Sequence, residues 1–254
     1  MPPGRRLDRW LTQGALTLIL SHCGGRGTID RASDATDKGG SNVRGAPTAL
    51  ALAAAYAAFG LTFRGPRDRF WQRMTGTGLT LGALALTADR NRYRYERPAG
   101  RSLLLGLASA AGLYGAFRLG DKLARRLMPR GSQEIGDIYA LGSLRPRPEL
   151  ALRLATIVAP AEELFWRGFL QRRLQARFGR WRGAAAATAA YGGAHLITGN
   201  ATLVGAATVA GAYWCALAAA GFPMSALIAS HVAWDVWIFL VAPTEKAAPP
   251  ARLR

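Results

Sequence analysis

The chain has 254 residues, a formal net charge of +18 and two cysteines, and half of its residues are hydrophobic. A soluble domain seldom combines so strong a charge with long apolar runs. Two cysteines, one of them inside an apolar run, indicate neither a disulfide framework nor a cysteine-based zinc site. The arginines lie in clusters that flank the apolar runs, at 64–73, 90–97 and 172–182.

Basic clusters of this kind have two explanations. One is a nucleic-acid footprint, and the other is a set of arginines that meet anionic lipid headgroups beside membrane helices. No helix-turn-helix, zinc-finger or aromatic RNA-binding signature accompanies the clusters. We therefore expect membrane lipid as a partner and no nucleic acid.

The first 45 residues read as a separate N-terminal segment. Basic residues precede a short apolar run from about Leu11 to Leu20, which has the outline of a signal peptide. A frayed or interfacial helix explains the same pattern, and both interpretations stay open. Residues 24–45 are rich in Gly, Asp, Ser and Thr and predict a polar linker. A membrane domain over 46–242 and a basic tail over 243–254 complete the predicted organisation.

Seven apolar segments follow the linker. A spanning helix needs about 20 apolar residues, so two of the seven are short. We predict an all-α, polytopic transmembrane helical bundle of about seven membrane helices. The segments run from about Pro47 to Phe63, Thr75 to Ala88, Ser102 to Phe117, Glu149 to Leu170, Gly183 to Thr198, Ala201 to Gly221 and Met224 to Val241.

The composition of these segments separates the bundle from a soluble one. Their alanines and glycines suit helices that pack closely in lipid, whereas a soluble alanine-rich bundle shows polar stripes at helical spacing. Residues 201–221 carry almost no such stripe. Basic loops fall on both sides under strict alternation, so the positive-inside rule does not fix the orientation.

Ionisable residues inside the segments are candidates for function, because inserting one costs roughly 2.5 to 3.5 kcal/mol. On a helix, residues four apart share a face, so Glu163 and Arg167 can form an ion pair. Glu162 is turned about 100° from Glu163 and is predicted to be the free carboxylate. Lying on three separate segments, the candidates predict one buried polar site: Glu162, Glu163, Arg167, His195, His231 and Asp235.

Three short motifs carry a family resemblance. Glu162-Glu163-Leu-Phe-Trp-Arg167 resembles the Glu-Glu-x-x-x-Arg motif of the CAAX-protease and bacteriocin-processing (Abi) family. Tyr191-Gly-Gly-Ala-His195 is similar to its aromatic-x-x-x-His motif, with Tyr where Phe is usual, and His231-Val-Ala-Trp-Asp235 to its His-x-x-x-Asn/Asp motif. The resemblance covers about 150–242, and the motifs occur in the family's order.

The resemblance implies an intramembrane endopeptidase that uses no cofactor. Glu162 and His195 would activate a water, Glu163 with Arg167 would hold the helix and tune Glu162, and His231 with Asp235 would stabilise the oxyanion. An ionised Asp235 cannot donate a hydrogen bond, so it can instead orient His231 through a ring N–H. The implied substrate is a membrane-associated, lipidated or secreted protein or peptide precursor, and the implied location is the bacterial inner membrane.

Three alternatives remain at this point. Two histidines with Glu or Asp are an adequate zinc ligand set, although the His-Glu-x-x-His helix of familiar zinc peptidases is missing. The polar cluster can also fasten helices together in a non-catalytic scaffold of the same family. A proton-coupled transporter is the third alternative, but the hydrophobic pattern has no internal repeat.

Overall fold

The computed structural model describes residues 38–88, 100–127 and 131–243. Within these ranges the chain forms helices and turns and no strand, which confirms the all-α prediction. The chain divides into two compact units, 1–47 and 48–254. The first unit is described only from Lys38, where it is helical. The predicted signal-like run, most of the linker, the arginines at 90–97 and the tail after residue 243 lie outside the described residues.

Eight helices make up the described part of the chain when 147–178 is counted as one continuous helix. Short 3-10 turns at Arg67–Arg69, Ala140–Ser143 and Leu196–Thr198 lie between some of them. In chain order the helices are α1 (Lys38–Phe63), α2 (Phe70–Ala88), α3 (Gly100–Leu127), α4 (Gly131–Tyr139), α5 (147–178), α6 (Arg180–Ala194), α7 (Ala201–Ala219) and α8 (Met224–Val241).

Helix α1 begins at Lys38, inside the stretch predicted as a polar linker. Pro47 lies inside this helix and has no N–H to donate to the carbonyl one turn earlier. Most of the predicted linker lies outside the described residues, so its extent stays a prediction.

Helix α5 is irregular in the region that carries the first motif. The α-helical turn Ala159–Glu163 is flanked by two π-helical stretches, Leu154–Val158 and Leu164–Gln171. Pro160 has no N–H to donate to the carbonyl one turn earlier, and its ring crowds that carbonyl. A widened turn before Pro160 accommodates both effects, and π-helical turns frequently occur at functional sites.

At one end of the bundle lie the turn after α1, the short helix α4 and the start of α7. This end is here called the cavity end. Arg67 pairs with Asp137 across it at 3.7 Å. The indole N–H of Trp71 donates to the carbonyl of Leu141 at 2.8 Å. The Glu134 carboxylate accepts from the backbone N–H of Thr202, the second residue of α7, at 2.9 Å. These contacts tie α4 across the cavity end.

Helices α3 and α8 approach each other closely at a glycine. A Cβ on Gly106 would lie 2.7 Å from the carbonyl oxygen of Ala226 and 2.7 Å from the Cβ of Ala229. Only a residue without a side chain permits this separation, as in other helix pairs packed within lipid. Small residues therefore set the position of α8, which carries His231 and Asp235.

Among the residues that the structure describes, three helices are long and apolar enough to cross a membrane: Gly100–Leu123, Ala201–Ala219 and Met224–Val241. Pro47–Phe63 is a shorter apolar helix. Large apolar side chains on several helices are exposed, among them Leu50, Leu79 and Leu104, as expected where lipid replaces water around a bundle. A membrane bundle is confirmed, whereas the count of seven spans stays a prediction.

We predict that Gly106→Ala lowers the thermal stability of the protein in detergent. The added methyl group overpacks the α3–α8 contact, which costs about 1 to 3 kcal/mol. Gly115→Ala is the matched control, because a Cβ there meets nothing within 4 Å on the same helix. Equal melting temperatures for the two variants would contradict the close packing of α3 against α8.

Candidate functional site

A cavity of about 150 Å³ lies inside the bundle and contains most of the predicted site residues. Its volume has room for several waters. Side chains from the cavity end line it, including Phe63, Phe70, Tyr139 and Thr202, so the cavity lies towards that end of the bundle. The polar groups of the three motifs that line it are Glu162, Tyr191, His195, His231 and Asp235.

Glu162 presents its carboxylate to this cavity. The side chain is buried, and its Oε2 accepts a hydrogen bond of 3.0 Å from the hydroxyl of Tyr191 on α6. Glu163, the next residue, does not line the cavity. The division between a cavity-facing Glu162 and a packed Glu163 agrees with the angular separation expected on a helix.

Glu163 joins α5 to α8. Its Oε1 accepts from Nη1 of Arg167 at 2.9 Å and from Nδ1 of His231 at 2.7 Å. The carboxylate is completely buried, with 0% of the residue exposed. The ion pair expected from the spacing of Glu163 and Arg167 is therefore present, and it includes a histidine from another helix.

The guanidinium of Arg167 lies between two aromatic rings. Its Cζ is 4.7 Å from the centre of the Tyr191 ring and 5.2 Å from the centre of the Trp214 ring. Cation–π contacts strengthen when both groups are removed from solvent. Together with Glu163, the two rings offset part of the cost of burying a cation.

His195 lies directly after α6 and is held by a backbone carbonyl. Its Nδ1 is 3.0 Å from the carbonyl oxygen of Tyr191. A carbonyl only accepts, so Nδ1 must carry the proton, and Nε2 of the neutral ring is left as an acceptor. The rings of Phe59 and Phe63 surround the imidazole, with centroids at 5.3 and 5.8 Å.

His231 has a carboxylate near each ring nitrogen. Nδ1 donates to Glu163, and Nε2 is 3.6 Å from Oδ2 of Asp235, beyond hydrogen-bonding distance. The hydrogen bond to the ring therefore comes from Glu163, and a role of Asp235 in orienting His231 stays a prediction. Asp235 sits four residues along α8 and lines the cavity beside the imidazole.

Residues 147–237 match the family model described as Type II CAAX prenyl endopeptidase Rce1-like. This segment is similar to the CAAX protease family. The family identified from the three motifs is confirmed, and all six predicted site residues lie inside the matched segment. No curated protein and no solved structure is similar enough to the chain to count as a match.

The match supports protease activity at the level of the family. A segment from a membrane protease family and three helices able to cross a bilayer together support a membrane protein. The roles of the individual residues in this CAAX protease segment, the substrate and the type of membrane stay predictions.

Two contacts between helices of the matched segment have no clear signal in the sequence. The motif and the spacing to His195 single out Tyr191, but they do not reveal that its hydroxyl donates to Glu162 on another helix. Trp214 lies in a uniformly apolar run, where nothing sets it apart from packing residues, yet it stacks on His231. Both contacts depend on the packing of separate helices, which residue spacing along one helix cannot reveal.

The zinc alternative has no support in the geometry of the part of the chain that the structure describes. Within it, no three His, Cys, Asp or Glu side chains are grouped as a metal site requires. His231 and His195 each engage one ring nitrogen with protein oxygens. Metal independence stays a prediction that the hydrolysis experiments below can test with chelators.

We predict that Arg167→Met destabilises the folded protein strongly. The substitution leaves the Glu163 carboxylate buried without its cation, which costs on the order of 3 to 5 kcal/mol. Chemical unfolding in detergent micelles measures the loss.

Arg153→Met is the matched control for Arg167→Met, since Arg153 pairs with Glu149 at the same spacing on the same helix with side chains 27% and 36% exposed. We expect a loss of about 1 kcal/mol or less there. A similar loss for both variants would argue against a special role for the buried pair.

Proposed function

We propose that this protein is an intramembrane endopeptidase whose reacting water is held between Glu162 and His195. One observation carries the proposal: Tyr191 connects the two side chains, by its hydroxyl to Glu162 and by its carbonyl to His195. Both side chains line the same buried cavity. A carboxylate oxygen and an unprotonated Nε2 facing one space are the groups that general-base catalysis requires.

Hydrolysis would proceed in two steps. The water oxygen attacks the carbonyl carbon of the scissile peptide, and the proton it loses passes to Glu162, with His195 accepting a hydrogen bond from the same water. The tetrahedral intermediate then collapses as the C–N bond breaks. The proton held by Glu162 moves to the leaving amine, which restores the carboxylate.

His231 would stabilise the oxyanion from its Nε2. Its Nδ1 is engaged by Glu163, so the ring must be an imidazolium if Nε2 is to donate as well. The carboxylates of Glu163 and Asp235 lie 2.7 and 3.6 Å from the two ring nitrogens. A preorganised donor inside a largely apolar cavity stabilises developing negative charge more than the same donor in water.

The substrate would be a membrane-associated, lipidated or secreted protein or peptide precursor. The walls of the cavity around the polar groups are largely aromatic and aliphatic, and they accept an extended apolar segment more readily than a charged one. The matched family is described by its action as a prenyl endopeptidase, so a prenylated peptide is the first probe to use. We place the protein in a cell membrane as a multi-pass protein of the bacterial inner membrane, acting without a cofactor.

We predict that Glu162→Gln abolishes hydrolysis while the protein stays folded. The amide cannot take a proton from water, yet its oxygen can still accept from Tyr191. Cleavage of a prenylated peptide by purified protein in proteoliposomes, followed by mass spectrometry, measures the effect. Glu149→Gln on the same helix is the matched control and should cleave at the wild-type rate.

The same variant separates the enzyme from the non-catalytic scaffold. In cells, native protein termini are compared between wild type and Glu162→Gln at matched abundance. A small set of substrates that accumulates uncleaved in the variant supports the protease, and its cleavage sites define specificity. Unchanged termini under several growth conditions, with altered assembly of the protein in the membrane, would favour the scaffold.

We predict that Asp235→Asn retains hydrolysis and that Asp235→Ala reduces it on the order of 10- to 1,000-fold. An Asn side chain can donate to the oxyanion and occurs at this position in the resembled family, whereas Ala offers no polar group. Initial rates with the prenylated peptide provide the comparison. A greater loss for Asn than for Ala would show that the negative charge of Asp235 is the feature required.

A further inference from the structure

Trp214 makes a face-to-face contact with His231 from a different helix. The indole on α7 and the imidazole on α8 are stacked with centroids 4.0 Å apart and planes 26° from parallel. Trp214 is completely buried, with 0% of the residue exposed. The contact covers one face of an imidazole whose edges point at Glu163 and Asp235.

The plane of the indole is itself fixed. Its Nε1–H donates to the hydroxyl of Ser230 at 3.1 Å, and this hydroxyl also accepts from the hydroxyl of Ser109 at 2.6 Å. All three residues are buried. Ser109 lies on α3, outside the segment that matches the protease family. A polar contact between three helices therefore holds the ring that stacks on His231.

A single hydrogen bond does not fix the orientation of an imidazole. The bond between Nδ1 of His231 and Oε1 of Glu163 still permits rotation of the ring about that axis, and rotation moves Nε2 relative to the cavity. A flat ring stacked on one face opposes this rotation. The hydrogen bond to Glu163 and the stacking contact with Trp214 together define the direction in which Nε2 of His231 points.

We propose that Trp214 is the positioning residue of His231, holding the imidazole plane so that Nε2 faces the cavity. The catalytic part of this proposal rests on the proposed function. Its structural part rests on the stacking geometry. Trp214 touches no reacting atom in this arrangement and acts through His231. The guanidinium of Arg167 also contacts the indole, at 5.2 Å, so the same ring borders both partners of Glu163.

The structural consequence is measured by NMR on protein labelled in its histidines. The chain contains three histidines, which makes the imidazole signals few enough to resolve, and His231→Gln identifies the signals of His231. In the wild-type protein we expect the Nδ1 proton of His231 to be protected from exchange with solvent by its bond to Glu163. The protection should be lost in Trp214→Leu, where the ring can turn, and be retained in Trp214→Phe, which keeps a stacked ring.

The catalytic consequence is measured as separate kcat and KM values with the prenylated peptide. For Trp214→Leu we expect kcat to fall on the order of 100-fold through misplacement of Nε2, with little change in KM. Trp214→Phe should recover most of the rate and lose about fivefold, because it lacks only the bond to Ser230. Trp181→Leu, at a tryptophan that is 59% exposed on α6, is the control and should match wild type.

The two readouts distinguish the failure of this proposal from the failure of the proposed function. Unchanged His231 signals in Trp214→Leu would overturn the positioning role, whatever the activity. If the His231 signals change but kcat does not, or if Trp214→Phe lowers kcat as much as Trp214→Leu does, Trp214 is a packing residue only. If wild-type protein cleaves no substrate, the proposed function fails, and the NMR comparison still decides whether Trp214 sets the plane of His231.

Discussion

A carboxylate shielded from solvent joins two helices at the centre of this protein. One oxygen of Glu163 accepts from both Arg167 on its own helix and His231 on α8. A buried charge is tolerated only when its partners and hydrogen bonds compensate for lost hydration. This requirement fixes where α8 lies against α5, because moving either helix would leave a charge without its partner. The first and third motifs are therefore two halves of one electrostatic unit.

The irregular course of α5 gives the two adjacent glutamates their different surroundings. Two π-helical stretches flank the single α-helical turn that carries Pro160 and both carboxylates. Neighbouring residues on a helix point about 100° apart, so one faces the cavity and the other faces α8. A charge-compensated Glu163 can thus anchor the bundle while Glu162 stays available to a ligand. One of the two glutamates therefore holds the helices together, and the other faces the cavity.

The segment that matches the protease family holds the polar groups, whereas the rest of the chain completes their surroundings. Phe63, Phe70 and Tyr139 form part of the cavity wall, and all three precede residue 147. Ser109 on α3 supports the hydroxyl that holds the indole of Trp214. The polar groups of the motifs therefore lie in the matched segment, whereas both stretches of the chain build the apolar wall of the cavity. Differences in the first stretch can change the shape of the cavity without altering these polar groups.

The sequence by itself determined the all-α membrane architecture and the family, and it predicted the residues of the candidate site. Apolar length and helical spacing are properties of one segment at a time, so they also revealed the pairing of Glu163 with Arg167. Only the tertiary structure decided that Nδ1 of His231 bonds to Glu163 and that the hydroxyl of Tyr191 reaches Glu162. It also decided the stacking of Trp214 on His231. These contacts join helices far apart in the chain, and their geometry depends on close packing that no local pattern of residues encodes.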